Sequence, residues 1–305
     1  MVTPSANSAS GPILVTGSRG RLATHLAASL AVAGFEVVCV SRTAGEGHIS
    51  YADLWASGLL KLAPCLVHCA WSSLPSTAEL NPASTWTEDL PLLARLAEAG
   101  SQRPDPQSLQ LIFMSSGGAI YGECLAPARE TDATAPIGWY GAGKSAAEEM
   151  LATFAARKKF RLCILRPSNP YGFTFASEKP QGIVGAALRA VRSGRPLKLI
   201  GGGASHKDFL HIEDFDRAVS DCIRLRLEGV YNLCHGSSVS TLDVITLLEE
   251  LGGFSVPSTN EPTAFWDVRC SQLSREKFTT ATAWTPAVDL REGLLRTLRE
   301  AGFGS

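Results

Sequence analysis

No stretch of this chain approaches the ~20 consecutive apolar residues that a bilayer-spanning helix requires, although 45% of its 305 residues are hydrophobic. No membrane span is expected, and there is ample apolar material for a large core, in one big domain or two unequal lobes. An excess of charge is missing too: 28 Lys and Arg against 29 Asp and Glu leave a net charge of −1. Nucleic-acid and membrane-surface proteins need a strong basic field, so neither partner is expected. The opening segment Met1–Gly11 has neither the basic stretch nor the apolar stretch of a secretory signal, and is expected to be a disordered tail. The eight cysteines contain no CxxC pair, and several sit in apolar runs where Cys acts as a small hydrophobe. Cys65, His68 and Cys69 are close in sequence, but a strand puts Cys65 and Cys69 on one face and His68 on the other. A buried strand, not a metal site, is the expectation there. Free thiols suit a reducing compartment such as the cytoplasm. There is no internal repeat and no long low-complexity linker.

What is present is an alternation. Ile13–Thr16, Glu36–Val40, Leu66–Cys69, Leu109–Met114 and Arg161–Leu165 are short apolar runs separated by helix-like segments, among them Leu22–Ala33, which Gly34 ends. That rhythm predicts an α/β fold with a doubly wound parallel sheet of Rossmann type. After Pro167 the rhythm lapses. Helices are expected at Gly182–Arg192, Thr241–Leu251 and Leu290–Ala301, with a strand at Pro196–Ile200. The expected division is a dinucleotide-binding domain over 12–170, with a returning segment near 208–235, and a smaller, discontinuous substrate-binding lobe from 171–207 and 236–302.

Gly17-Ser18-Arg19-Gly20-Arg21-Leu22-Ala23 follows the first strand and opens the first helix. Gly17 allows the tight turn, and Gly20 lets the backbone approach a pyrophosphate at the helix N-terminus. Glycine pairs are common in loops; the strand-to-helix setting is what makes this one informative. A carboxylate at the end of the second strand would bond the ribose hydroxyls of NAD, and here Ser41-Arg42 stands instead, with Arg19 in the glycine loop. Two guanidiniums and a hydroxyl suit a 2′-phosphate and so NADP; the other reading is two solvated arginines and a relaxed choice that includes NAD. Asp53-Leu54 stands where the adenine edge is held, and Asp53 equally fits a helix cap.

Tyr140 and Lys144 lie at the head of an Ala/Glu-rich helix expected to end near Phe154. Four-residue spacing puts both on one face, where an ammonium lowers the pKa of a phenol toward the range useful for proton transfer. Chance produces YxxxK often, but here it follows a dinucleotide loop and Ser115-Ser116-Gly117-Gly118-Ala119-Ile120-Tyr121-Gly122.

With Leu165–Gly172 (LRPSNPYG), Lys207–Asp214 (KDFLHIED), Val230–Leu233 and Trp284–Pro286, these motifs resemble, in order, the sugar-nucleotide epimerase/dehydratase family of extended short-chain dehydrogenase/reductases. The likeness runs from Ile13 to about Leu298 and is greatest toward the bacterial UDP-glucose 4-epimerase-like branch. It implies an enzyme with a nucleotide-sugar substrate, and a homodimer with paired helices. Tyr140 would be the acid/base, Lys144 would hold the nicotinamide ribose, and a Ser or Thr hydroxyl would bond the reacting oxygen. It also implies cofactor contacts from Cys69, Ala70, Trp71, Ser115 and Pro167, and substrate contacts from Asn169 and the loop of Ser116 and Gly117.

The departures are as informative. The family hydroxyl lies four residues before the tyrosine of the YG pair, which here is Gly117, so Ser116 is taken as the substitute with Ser115 as the alternative. The usual Asn before Leu90 is Asp89. One diphosphate-binding Arg matches Lys207, which loses the bidentate fork, and the other matches Ala264; Arg269 either reaches the same pocket or is a surface charge. Three readings follow: an NAD(P)-dependent nucleotide-sugar epimerase of 4-epimerase type, an NADPH-dependent ketoreductase of a nucleotide-linked keto sugar, and a non-catalytic NADP-binding regulator. The first is adopted.

Overall fold

The computed structural model describes residues 11–173 and 182–303. All but the last residue of the expected tail therefore lies outside the described residues, as does part of the 171–207 segment. The strands are β1 (Ile13–Thr16), β2 (Val37–Ser41), β3 (His48–Ser50), β4 (Cys65–His68), β5 (Gln110–Met114), β6 (Arg161–Pro167), β7 (Asn169–Tyr171), β8 (Leu197–Ile200), β9 (His206–His211), β10 (Gly229–Leu233), β11 (Ser238–Ser240) and β12 (Ser258–Glu261). Seven of them form a parallel sheet in the order β10-β6-β5-β4-β1-β2-β3. Sequence order reverses between β1 and β4, the switch point at which a doubly wound sheet opens a crevice at its carboxyl edge.

Strand side chains alternate between two cores, which is why the strands read as unbroken apolar runs. Ile13, Val15, Cys65, Val67, Ile112, Met114, Cys163 and Leu165 pack with helices Arg21–Val32 and Ile212–Arg224. Leu14, Leu66, Leu111, Phe113 and Ile164 face the other way, toward helices Tyr51–Ser57, Leu90–Ser101 and Trp139–Lys158. In the first of these helices Ala23, Leu26, Ala27 and Leu30 make the i, i+3, i+4, i+7 stripe that seats on the sheet.

The segment returning near 208–235 supplies helix Ile212–Arg224 and β10, which pairs with β6. Two smaller sheets, β11-β9-β7 and β12-β8, carry a third core with helices Ile183–Ser193, Thr241–Gly252 and Leu290–Glu300. Two carboxylates of the KDFLHIED motif hold this region by accepting backbone N–H groups. Asp208 bonds His235 N at 2.9 Å and Gly236 N at 2.7 Å. Asp214 bonds Ala287 N and Val288 N, each at 2.9 Å. Among the described residues no helix is long and apolar enough to cross a membrane.

Element boundaries differ from the sequence expectation in explicable ways. Leu109 is buried, but the chain leaves a 3-10 turn at Pro106–Ser108, so the ladder begins at Gln110. The Tyr140 helix continues to Lys158 and ends on Lys159 in the left-handed region. Asp53 is a cap: with Ser50 it forms a capping box, accepting Ser50 N at 2.9 Å and returning its own N–H to Ser50 Oγ at 3.1 Å. Leu54 is fully buried in the core.

Candidate active site

The glycine turn sits at the switch point. Gly17 has φ +71°, and a Cβ there would lie 2.6 Å from the backbone of Ala70, so the loop and the Cys69-Ala70 segment approach as closely as backbones can. The turn closes with Gly20 N to Gly17 O at 2.7 Å, and the helix beginning at Arg21 turns its first amides to the crevice. A narrow backbone cradle at a helix N-terminus fits a pyrophosphate. Ser18 is buried, bonding Val40 O at 2.9 Å and His48 Nδ1 at 2.7 Å, so its hydroxyl braces the strand ends. Arg19 bonds Ser41 Oγ at 3.3 Å, whereas Arg42 is exposed and paired with Glu88 at 3.2 Å. The two arginines thus part company, and His48, which drew no notice in the sequence, stands beside Ser18.

Past Met114 the chain turns from β5 into Ser115 and Ser116, and Tyr140 comes in from its helix. Ser116 stands beside the Tyr140 phenol, in the wall of the same cavity. Ser115 is engaged elsewhere, its hydroxyl donating to Glu148. Of the two candidate hydroxyls, Ser116 alone meets Tyr140. Gly117 has no room for the side chain expected at its position: a Cβ would lie 2.3 Å from Leu273 Cδ1 and 2.8 Å from Arg166 O.

Enclosure pushes the Tyr140 pKa up to about 12, opposed by Ser116, with Asp89 adding to the rise. This reverses the expectation of a lowered phenol, and burial is the cause. The Lys144 ammonium donates to Met114 O at 2.7 Å and lies 3.8 Å from the centre of the Trp71 ring and 5.8 Å from that of Tyr140. Burial brings Lys144 down to about 7, opposed by Asp89, Cys69 and Glu148. Asp89 accepts Ser72 N at 2.8 Å and Ser72 Oγ at 2.7 Å, anchoring the loop that carries Trp71. A Cβ on Gly143 would stand 3.3 Å from Trp71 and 2.5 Å from Thr85, so the glycine of YGAGK is what admits the indole.

A cavity of about 530 Å³ opens beside these groups. Its wall includes Arg21, Leu22, Ser115, Ser116, Tyr140, Pro167, Asn169 and Lys207. Asn169 donates to Asp208 O at 2.9 Å, and Lys207 is paired with Asp267 at 2.9 Å and bonds Val268 O. Arg269 is not in that wall; it is exposed and paired with Glu123 at 3.3 Å. Besides His48, the sequence reading passed over Glu148, Arg166 and Asp267. Glu148 alone left a signal, as the residue one further turn along the Tyr140–Lys144 face.

The sequence profile of the NAD dependent epimerase/dehydratase family matches residues 13–234. UDP-glucose 4-epimerase of Azospirillum brasilense is 27% identical, over 95% of this chain and 91% of that protein. GDP-6-deoxy-D-mannose reductase of Pseudomonas aeruginosa is 25% identical, over 94% and 96%. Among solved structures, the UDP-glucose 4-epimerase of Thermus thermophilus in complex with NAD superposes with a TM-score of 0.85 at 25% identity, covering 95% of this chain and 99% of that one.

Proposed function

The chain belongs to the NAD-dependent epimerase/dehydratase family, and from that premise we propose that it is a nucleotide-sugar epimerase of the 4-epimerase type. One observation carries the reading. Tyr140 and Ser116 stand together in the wall of a cavity that Asn169 and Lys207 also line. A sugar hydroxyl seated between Tyr140 and Ser116 gives its proton to Tyr140 as the phenolate, while Ser116 bonds the reacting oxygen. The phenol first yields its own proton to solvent, which the Lys144 ammonium 5.8 Å from the ring centre favours. When bound, the nicotinamide supplies the acceptor and later the donor of a hydride at the sugar carbon. The residues fit such a cofactor: the Gly17–Gly20 turn would take the pyrophosphate and Lys144 would hold the nicotinamide ribose. Lys207 and Asn169 meet the diphosphate, with Asn169 using the amide hydrogen that Asp208 leaves over.

For the cofactor we read NADP, NAD remaining the alternative, because the end of β2 carries Ser41 bonded to Arg19 and no carboxylate. Arg19, not the outward-paired Arg42, is then the discriminating cation. Titration of both cofactors by fluorescence checks this: Arg19→Ala abolishes the NADP preference and Arg42→Ala barely alters it. Equal affinities in the unmodified protein overturn the NADP reading. Eight free thiols support a cytoplasmic setting. A homodimer built on the helices Leu90–Ser101 and Trp139–Lys158 belongs to the same proposal and is checked by sedimentation.

The function is tested by incubating the protein with UDP-, dTDP- and GDP-linked hexoses and following the anomeric NMR signals. Epimerisation drives one sugar to a fixed mixture of two without net cofactor consumption. No conversion of any sugar overturns the reading. Stoichiometric NADPH oxidation by a keto sugar replaces it with the ketoreductase, which the Arg19–Ser41 contact favours.

A further inference from the structure

Behind the site, out of contact with the cavity, lies a buried ionic group. Tyr140, Lys144 and Glu148 stand at i, i+4 and i+8 on one helix face. Glu148 and Arg166 are each 6% exposed. Their side chains form a two-pronged pair, Arg166 Nε to Oε1 at 3.0 Å and Nη2 to Oε2 at 2.6 Å. Arg166 Nη1 also donates to the Tyr121 phenol at 2.6 Å, and Tyr121 donates to Asn232 Oδ1 at 2.8 Å. A buried ion pair is a poor source of net stability, because the cost of removing both charges from water offsets their attraction. Its value lies in fixed geometry, and one bond leads from it into the site: Ser115 Oγ donates to Glu148 Oε1.

We propose that Glu148 is a positioning residue for the reaction, holding Ser115 so that the next hydroxyl in the chain, Ser116, has Tyr140 as its partner. The proposal rests on the epimerase-type reading above. The tie to Glu148 completes a set of restraints on this peptide. Ser115 N bonds Leu165 O at 2.8 Å, and Met114 O receives Lys144 Nζ at 2.7 Å. On the far side Gly117 is wedged between Leu273 and the carbonyl of Arg166. With the Ser115 side chain held inward, Ser116 turns into the cavity. Released, the Ser115–Ser116 peptide gains a second arrangement, in which Ser116 no longer stands beside Tyr140.

Ser115→Ala is the decisive variant, because it cuts the tie and leaves the Glu148–Arg166 pair whole. It is expected to lower kcat about 10²-fold, the scale of a reacting group displaced by about 1 Å. KM, cofactor affinity and melting temperature stay near those of the parent. Glu148→Gln should lower kcat similarly, and the double variant should be no worse than either single one, since both cut one chain of contacts. A kcat for Ser115→Ala equal to the parent's overturns the proposal, as does additive loss in the double variant. A parent that turns over no nucleotide sugar is a failure of the epimerase reading alone. The crystal structure of Ser115→Ala then decides the positioning claim by itself. A Ser116 Oγ moved away from the Tyr140 phenol relative to the parent's crystal structure supports it, and an unmoved one refutes it.

Discussion

Gly117 occupies the place where the resemblance led us to expect a hydroxyl, and the packing around it makes a sharp prediction about moving that hydroxyl back. Ser116→Ala removes the hydroxyl that stands beside Tyr140, and loss of a positioned proton-transfer partner costs about 10²–10⁴-fold in turnover. Adding Gly117→Ser should not rescue it. The new Cβ would start 2.3 Å from Leu273 Cδ1, which can swing aside, but also 2.8 Å from Arg166 O and 3.3 Å from Pro167 O, which cannot. Those carbonyls belong to the end of β6, where Arg166 and Pro167 are in register with Asn232 and Leu233 of β10. Overpacking of this kind costs about 1–3 kcal/mol. In a chain of 305 residues that amounts to about 2–4 °C of melting temperature per kcal/mol. Gly117→Ser alone should thus melt several degrees below the parent, and Ser116→Ala/Gly117→Ser should stay as slow as Ser116→Ala while also melting low. Differential scanning fluorimetry and the NMR epimerisation assay read both quantities. Recovered turnover in the double variant, or an undisturbed melt in Gly117→Ser, would refute the argument.

Tyr140→Phe should reduce turnover about 10²–10⁴-fold with cofactor binding intact, as fluorescence titration will read. Lys207→Ala should weaken UDP binding by about one to two decades, the worth of a hydrogen bond to a charged group, less whatever the parent spends parting Lys207 from Asp267; calorimetry measures it, and unchanged affinity would assign the lysine to Asp267 alone. His25 lies 2.6 Å from Asp216, whose hydrogen bond holds the imidazole pKa above 6.5. A raised folded value means that the pair stabilises fully below pH 6.5 and that the contribution fades as pH climbs through the folded value. His25→Gln should therefore lower the melting temperature at pH 6 and leave it nearly unchanged at pH 9.

The large sheet was legible because each of β1, β4, β5 and β6 must feed two cores at once, and that leaves a run of apolar residues with no polar break. β3, β7 and β11 have three residues each, too short for any period to show, and they follow from the ladders they join. Asp53 illustrates a different limit. Its sequence position suits an adenine contact and a helix cap alike, and Ser50, three residues earlier, takes it into a capping box. Long-range ion pairs were the least legible of all. Lys207 pairs with Asp267, sixty residues away in sequence, which is brought to it by the chain's return beside β9.

Around the head of the Tyr140 helix, small residues and their neighbours are fitted to one another. A hydroxyl is missing at Gly117, and the structure has neither space for one nor need of one, since Ser116 meets Tyr140. Trp71 is large for a loop that approaches a helix, and Gly143 in the YGAGK turn is small enough to receive it. The same indole gives Lys144 a face to rest on 3.8 Å away, which supports the ammonium where burial alone would disfavour it. Substituting the small member of such a pair by a larger residue should harm the protein, because the neighbouring packing is built around it. Gly143→Ser is the clean case: its Cβ would meet Thr85 Cγ2 at 2.5 Å and Trp71 at 3.3 Å, so the indole is pushed off Lys144. Intrinsic tryptophan fluorescence should then shift together with turnover, and a variant that lost neither would show the pairing to be incidental.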